Sequence, residues 1–259
     1  MKKYLISLDK DQHRRELFFA QADTADFQLF SAFNTMNENE ESLTKKFNLD
    51  RFQQRYARKI TKGEVGCTLS HLGVYQRIVD DQEIAEDEYC LVCEDDALFV
   101  ADFQANLDKI LAEGLTADIV LVGQSKIPEF NCAGLELNYP ITFNCLLKEI
   151  KGSPFKVAYT YRNYFAGTVA YLIKKSVARA FLNQAEQNGL PYWLADDFIL
   201  FHQQFKLDIV VVRPLMVIEN PNLNSNLENF RGSISHHVCH KVLKYPAKKL
   251  LAIVQNLRK

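Results

Sequence analysis

The chain has 259 residues, of which 47% are hydrophobic and 24% charged, with a formal net charge of −1. That is enough apolar material for one large domain, or one domain with a short appendage. The balanced charge gives no global basic character that would point to nucleic acid, and no apolar stretch approaches the length of a membrane span.

The opening segment does not read as a signal peptide, because its apolar run is short and Asp9 to Arg15 is strongly charged. Lys3 to Leu8 reads as a first strand, Asp9 to Arg15 as a charged turn and helix start, and Phe27 to Phe33 as a second strand. Residues 35 to 60 are polar and poorly periodic. Within them Arg51, Arg55, Tyr56, Arg58 and Lys59 form a basic, aromatic segment, read as a solvated helix face ahead of an anion-binding one. Thr61-Lys62-Gly63-Glu64 has the spacing of a capping box and predicts a helix over 62–80. Gly63, Gly66, Ser70 and Gly73 recur along that helix as a small-residue stripe, where a strand or a nucleotide approaches closely. His71 beside the stripe is first of all a structural hydrogen-bonding residue.

Tyr89 to Cys93 is a run that can be buried on both faces, and it leads straight into Glu94, Asp95 and Asp96. Such a strand belongs inside a covered parallel sheet, and ligands bind beyond the carboxyl ends of those strands. Three adjacent acids there either hold a divalent cation through oxygen ligands or end the strand in a solvated turn. Cys90 and Cys93 are three apart within the strand and point to opposite faces. They are expected as buried thiols of a reducing compartment, the cytoplasm, rather than as a zinc pair.

Asp102 to Leu111 reads as a helix and Asp118 to Gly123 as another buried strand. Residues 124 to 165 form a long aromatic insert with a small hairpin, either a platform for a sugar or a satellite cluster. Gly167 to Ile173 is strand-like, Lys174 to Gln187 helical, and Phe198 to Phe205 an apolar helix whose first turn carries Asp196 and Asp197. Capping alone could explain those acids. Ile209 to Val212 and Leu215 to Ile218 are late strands. The alternation of strands and helices supports an α/β fold. The tail is basic, lacks acids, and carries Leu243, Leu250, Leu251, Ile253, Val254 and Leu257 as an apolar face. It is expected either on an anionic membrane surface or as a packed terminal helix with a solvated basic side. His236, His237, Cys239 and His240 have metal-ligating side chains but sit at a poor junction for a closed site.

Taken together, these stretches resemble glycosyltransferase family 25, the bacterial lipooligosaccharide galactosyl- and glucosyltransferases and the collagen galactosyltransferases. The resemblance is carried by Ile6 to Asp9 with Arg14-Arg15, Ser31 to Phe33, Gly63 to Leu72, Glu94 to Asp96, Gly167 to Tyr171, Ala195 to Asp197 and the loop from Pro221 to Ser233, and covers residues 3 to 235. Ser7 and Cys93 depart from the usual pattern. The resemblance implies a GT-A-like fold with a mostly parallel central sheet flanked by helices, residues 1–235 as the transferase domain and residues 236–259 as a basic amphipathic tail.

It also implies inverting transfer of a hexose, galactose first and glucose next, from a UDP-sugar to a saccharide of lipooligosaccharide or lipopolysaccharide. On that chemistry Asp96 is expected as the main ligand of Mn2+ (or Mg2+), with Glu94 in support and Asp95 on the ribose or metal. Asp197, then Asp196, is expected as the base that takes the acceptor proton. Arg15, Ser70 and His71 are expected in the donor pocket, with Ala32 and Phe33 as the uracil and ribose wall. The expected place of work is the cytoplasm, on the inner face of the bacterial inner membrane. A non-catalytic carbohydrate-binding protein, a nucleotide-sugar hydrolase and a nucleotidyltransferase are the competing readings.

Overall fold

The computed structural model describes residues 1–132, 134–223 and 238–258. Eight strands form the main sheet: β1 (Lys3–Ser7), β2 (Gln28–Ser31), β3 (Tyr89–Glu94), β5 (Ile119–Leu121), β7 (Lys148–Glu149), β8 (Lys156–Tyr159), β9 (Ala170–Lys174) and β10 (Ile209–Arg213). Their order is β2-β1-β3-β9-β5-β10-β8-β7. Six run in one direction, and β8 and β9 oppose them. The sheet is thus mostly parallel, but the central β3 lies between parallel β1 and antiparallel β9. A second sheet, β4 (Ala97–Phe99), β11 (Val217–Glu219) and β6 (Gly123–Gln124), is built from the chain that continues past β3, β10 and β5. It caps their carboxyl ends, which is where the site forms.

Nine helices complete the described residues: α1 (Gln12–Phe19), α2 (Glu40–Thr44), α3 (Leu49–Tyr56), α4 (Lys62–Asp80), α5 (Phe103–Ala112), α6 (Gly134–Asn138), α7 (Lys175–Gln187), α8 (Phe198–Gln203) and α9 (Val238–Leu257). Alternate residues of β3 feed two separate cores. Cys90 and Val92 join the layer of α4, α7 and α8, while Leu91 and Cys93 join the layer of α5. Both thiols are fully buried on opposite faces, so they cannot converge on one metal. Each fully buried aliphatic chain in these cores contributes about 1.5–3 kcal/mol.

The polar segment 35–60, without a helical period in its sequence, holds two short helices. Asn39 and Asn48 accept from the backbone N–H groups of Ser42 and Arg51 and so cap α2 and α3, and Leu43, Phe47 and Phe52 bury a small satellite core. The capping box at Thr61 and Glu64 is made in full.

At Gly66 and Gly73 the small-residue stripe of α4 meets protein. A Cβ on Gly66 would stand 2.6 Å from the Phe33 carbonyl oxygen and 2.7 Å from Thr35 Oγ1, and one on Gly73 would enter the Phe30 ring. Close approach of β2 and the chain that follows it therefore accounts for these two glycines. Gly66→Ala must push backbone aside and is expected to cost about 1–3 kcal/mol, read as a lower denaturant midpoint with an unchanged slope.

The aromatic insert is neither a free platform nor a separate satellite: Ile141, Leu147, Tyr161 and Tyr164 join the core of α4 and α7, and Ile150, Phe155 and Val157 the core of α5. Tyr161 and Tyr164 are 2% exposed, and Tyr164 donates to Gln124 Oε1 at 2.8 Å. β7 and β8 form its hairpin. The expected boundary at residues 235/236, most of the loop from Pro221, and His236 and His237 lie outside the described residues.

Candidate functional site

The turn between β3 and β4 projects the three acids to different neighbours. Glu94 ends β3, and its Oε1 accepts from Thr168 Oγ1 and lies 3.4 Å from His71 Nε2. Burial alone would raise its pKa, but the hydrogen bonds and charge of His71, with help from Thr168 and Arg14, hold it below the ordinary value. Asp95 turns inward, accepting from Ser7 Oγ at 2.6 Å and from Arg14 Nε at 2.6 Å. Its pKa is raised, chiefly by burial. Asp96 Oδ2 accepts from Arg14 Nη2 at 2.9 Å, while its buried Oδ1 has no hydrogen-bond partner among the described residues. Burial, then the charge of Glu94, pushes the Asp96 carboxyl up to about 8. Two neighbouring carboxyls are thus driven apart in acidity by their surroundings.

A third carboxylate completes the group. Glu219 ends β11, whose register pairs it with Ala97, and the Asn220 N–H donates to the Asp96 carbonyl at 2.7 Å. Its pKa too is raised by burial and by the charge of Glu94. The signal for it was available: Leu215 to Ile218 is an apolar run ending in an acid, the same pattern as β3 and Glu94.

Two cavities meet here. The larger, about 430 Å³, is lined by Ser7, Arg14, Ala32, Phe33, Ser70 and His71 together with the three acids of the turn. That volume is in the range of small-ligand sites. The smaller, about 80 Å³, is lined by Phe165, Gly167, Thr168, Asp196 and Glu219 among others, and shares Cys67, Glu94 and Asp96 with the larger. Gly167 is required on its wall: its φ is +82°, and a Cβ would overlap Ser125.

The structure therefore gathers Glu94, Asp95, Asp96, Ala32, Phe33, Ser70 and His71 around the larger cavity, with Asp196 on the adjoining smaller one. Ser70 accepts from the Phe33 N–H at 2.8 Å and donates to the Gly66 carbonyl at 2.6 Å, joining α4 to the wall. His71 is 2% exposed, and its Nδ1 pairs with Tyr171 Oη at 2.7 Å.

Two expected residues lie elsewhere. Arg15 does not line either cavity. It binds the Leu8 and Asp9 carbonyls and Ser7 Oγ, and Arg14 is the arginine on the wall. Consecutive residues at the start of a helix point about 100° apart, so the pair Arg14-Arg15 alone could not say which faced inward.

Asp197 lines neither cavity. It is buried, Oδ1 caps α8 by accepting from the Leu200 N–H at 2.9 Å, and Oδ2 accepts from Arg55 Nε at 3.0 Å and from Tyr56 Oη. The basic segment before α4 is only in part a solvated face: Arg51, Arg58 and Lys59 are exposed, but Arg55 and Tyr56 hold Asp197, and Arg58 pairs with buried Glu64. The segment before Asp196 is pinned as well, with the Trp193 carbonyl accepting from Thr68 Oγ1 at 2.9 Å.

A family model described as "Glycosyltransferase family 25 (LPS biosynthesis protein)" matches residues 1–200. The human "Inactive glycosyltransferase 25 family member 3" is 30% identical over 161 residues, 59% of this chain and 23% of that protein. The mouse "Procollagen galactosyltransferase 2" is 32% identical over 75 residues, 27% of this chain and 11% of that protein. The chain spans less than a quarter of the length of these curated relatives. Among solved structures, the inositol-1-phosphate CTP transferase from T. maritima is 11% identical with a TM-score of 0.37 over 96% of this chain and 97% of that chain, a likeness too slight to argue from.

Proposed function

Because the chain belongs to glycosyltransferase family 25, we propose that it transfers a hexose, galactose first and glucose next, from a UDP-sugar to a saccharide acceptor of the lipooligosaccharide or lipopolysaccharide type. One observation carries the reading. Three carboxylates, Glu94, Asp96 and Glu219, line the smaller cavity, the first two where it meets the larger, and a buried oxygen of Asp96 has no hydrogen-bond partner among the described residues. Repelling carboxylates with an orphaned oxygen suit a divalent cation, and an all-oxygen set suits manganese or magnesium. Asp96 and Glu219 would hold it, with Glu94 in support. When bound, such an ion neutralises the charge of a leaving diphosphate.

The chain's own residues divide the remaining work. Ala32 and Phe33 form an apolar wall suited to a base and ribose, and the α4 N-terminus beside Gly63 and Gly66 favours an anion. Arg14 sets Asp95 and Asp96 at once, so Asp95 positions the turn rather than touching the donor. Phe165 offers an aromatic face in the smaller cavity. Asp196 lies on that side, and we assign it the acceptor proton. Asp197 holds the Asp196 backbone in place through its cap and Arg55.

The competing reading is a binding protein without turnover, and a relative named inactive keeps it in view. The gathered acids favour the enzyme. Calorimetry separates them at the first step. UDP is expected to bind at least tenfold more tightly with manganese than with a chelator present, and an affinity indifferent to the metal would remove the cation from the site.

α9 bears on the partner. It packs on the body through Ala252, which is fully buried in the main core, and through polar side chains around it. Lys249 donates to Glu136 Oε1 at 2.6 Å, Lys248 to the Asn138 carbonyl at 2.8 Å, and Asn256 bonds the Tyr159 backbone in both directions. Leu243, Leu250, Leu251 and Leu257 are 52–76% exposed on the other side. The exposed face is thus leucine-rich, with Lys244 and Arg258 beside it, where a packed helix was expected to show lysines. Two such faces would oppose like charges, whereas an anionic lipid surface matches both the leucines and the cations. No helix among the described residues is long and apolar enough to cross a membrane. The protein is expected to sediment with phosphatidylglycerol vesicles, and the pair Leu250→Asp, Leu251→Asp to stay in the supernatant; equal sedimentation of both would remove α9 as the contact.

A further inference from the structure

We propose that Cys67, His71 and Glu94 form a binding site for a thiophilic divalent cation, zinc above all, in the wall between the two cavities. Cys67 and His71 are four residues apart on α4 and so share one helix face. Glu94 reaches the same point from the end of β3. One ligand atom from each, a sulfur, an imidazole nitrogen and a carboxylate oxygen, lies within 4.8 Å of both others.

The separation of His71 Nε2 from Glu94 Oε1 is 3.4 Å. That is a hydrogen bond at the long end of the range. It equals the spacing of two nitrogen or oxygen ligands around one tetrahedral zinc, about 3.4 Å for bonds of about 2.0–2.2 Å. The pair is set at the distance a shared cation would give it.

The surroundings have the parts of a built metal site. A ligating histidine is oriented through its other ring nitrogen, and here His71 Nδ1 meets Tyr171 Oη at 2.7 Å, which in turn meets Tyr75 Oη at 2.7 Å. Both tyrosines are buried, so the imidazole is held with Nε2 toward Glu94. Glu94 is steadied by Thr168. Cys67 and Glu94 line both cavities and His71 the larger, so an ion has a path in. Three protein ligands leave a fourth position open to the cavity. A sulfur and a nitrogen among them select zinc over the oxygen-seeking cation assigned to Asp96 and Glu219.

The site shares Glu94 with that second cation. On the transferase reading, and only for this consequence, zinc is expected to inhibit transfer, with Cys67→Ser relieving the inhibition.

The site itself is tested without any turnover. Cobalt(II), titrated into the reduced full chain, is expected to give thiolate-to-cobalt absorption that saturates near one equivalent. Cys67→Ser is expected to abolish the band, Cys239→Ser to leave it, and Glu94→Gln to weaken cobalt binding at least tenfold. Absence of the band in the wild type would overturn the proposal. So would a band that survives Cys67→Ser, or one lost in Cys239→Ser, which would place the ion in the tail, or an affinity unchanged by Glu94→Gln.

Discussion

Asp96→Ala is expected to lower sugar transfer about a thousandfold, which at about 1.36 kcal/mol per tenfold is about 4 kcal/mol of lost transition-state stabilisation. The fold is expected to survive. Asp96 is a costly residue in the folded state: burial and the charges of Glu94 and Glu219 push its carboxyl up to about 8 even with Arg14 beside it. Removing it relieves that repulsion, so the melting temperature is expected to hold or rise while donor affinity in manganese falls. Arg14 keeps its bond to Asp95. A variant that transfers at the wild-type rate would exclude Asp96 from the chemistry. Equal losses of stability and of activity would make it a structural residue instead.

The second large effect separates the two aspartates before α8. Asp196→Asn is expected to slow turnover by about a hundred- to ten-thousandfold, the range of a lost general base. UDP affinity and stability are expected to stay unchanged. Asp197→Asn is expected to act through the fold. It removes the ion pair with Arg55 at 2.9 Å and leaves a partly buried guanidinium short of its partner. The expected cost is about 1–3 kcal/mol, read in a denaturant titration. A stable Asp197→Asn protein without turnover, beside an active Asp196→Asn, would return the base to Asp197.

What could be read without the structure follows from which interactions are local. The capping box of α4 and the extents of α4 and α7 are written in short spacings, and they are found where the spacings put them. So is the pairing of an apolar run with an acidic turn at β3, because a strand buried on both faces carries its own signature. Segment 35–60 was obscured because two short helices are held by asparagine caps and one small apolar cluster rather than by a long periodic stripe. Within the site, the neighbourhood of each motif was legible but the direction of its side chains was not. Whether Arg14 or Arg15 faces the cavity depends on how α1 is rotated. Whether Asp196 or Asp197 does depends on Arg55 and Tyr56, more than a hundred residues earlier. Glu219 reaches the acids only because β11 pairs with β4 across the second sheet. The convergence of Cys67, His71 and Glu94 likewise needs α4 docked at the end of β3, which no local spacing states.

The claim that these parts make a transferase is tested most directly by its product. The purified chain would be incubated with manganese, a panel of UDP-hexoses and a lipooligosaccharide core acceptor, and the products resolved by mass spectrometry. The account predicts an acceptor heavier by one hexose, formed from one preferred donor, dependent on the metal and absent with Asp96→Ala. Free hexose with an unmodified acceptor, or no turnover of any donor with folded protein, would contradict it.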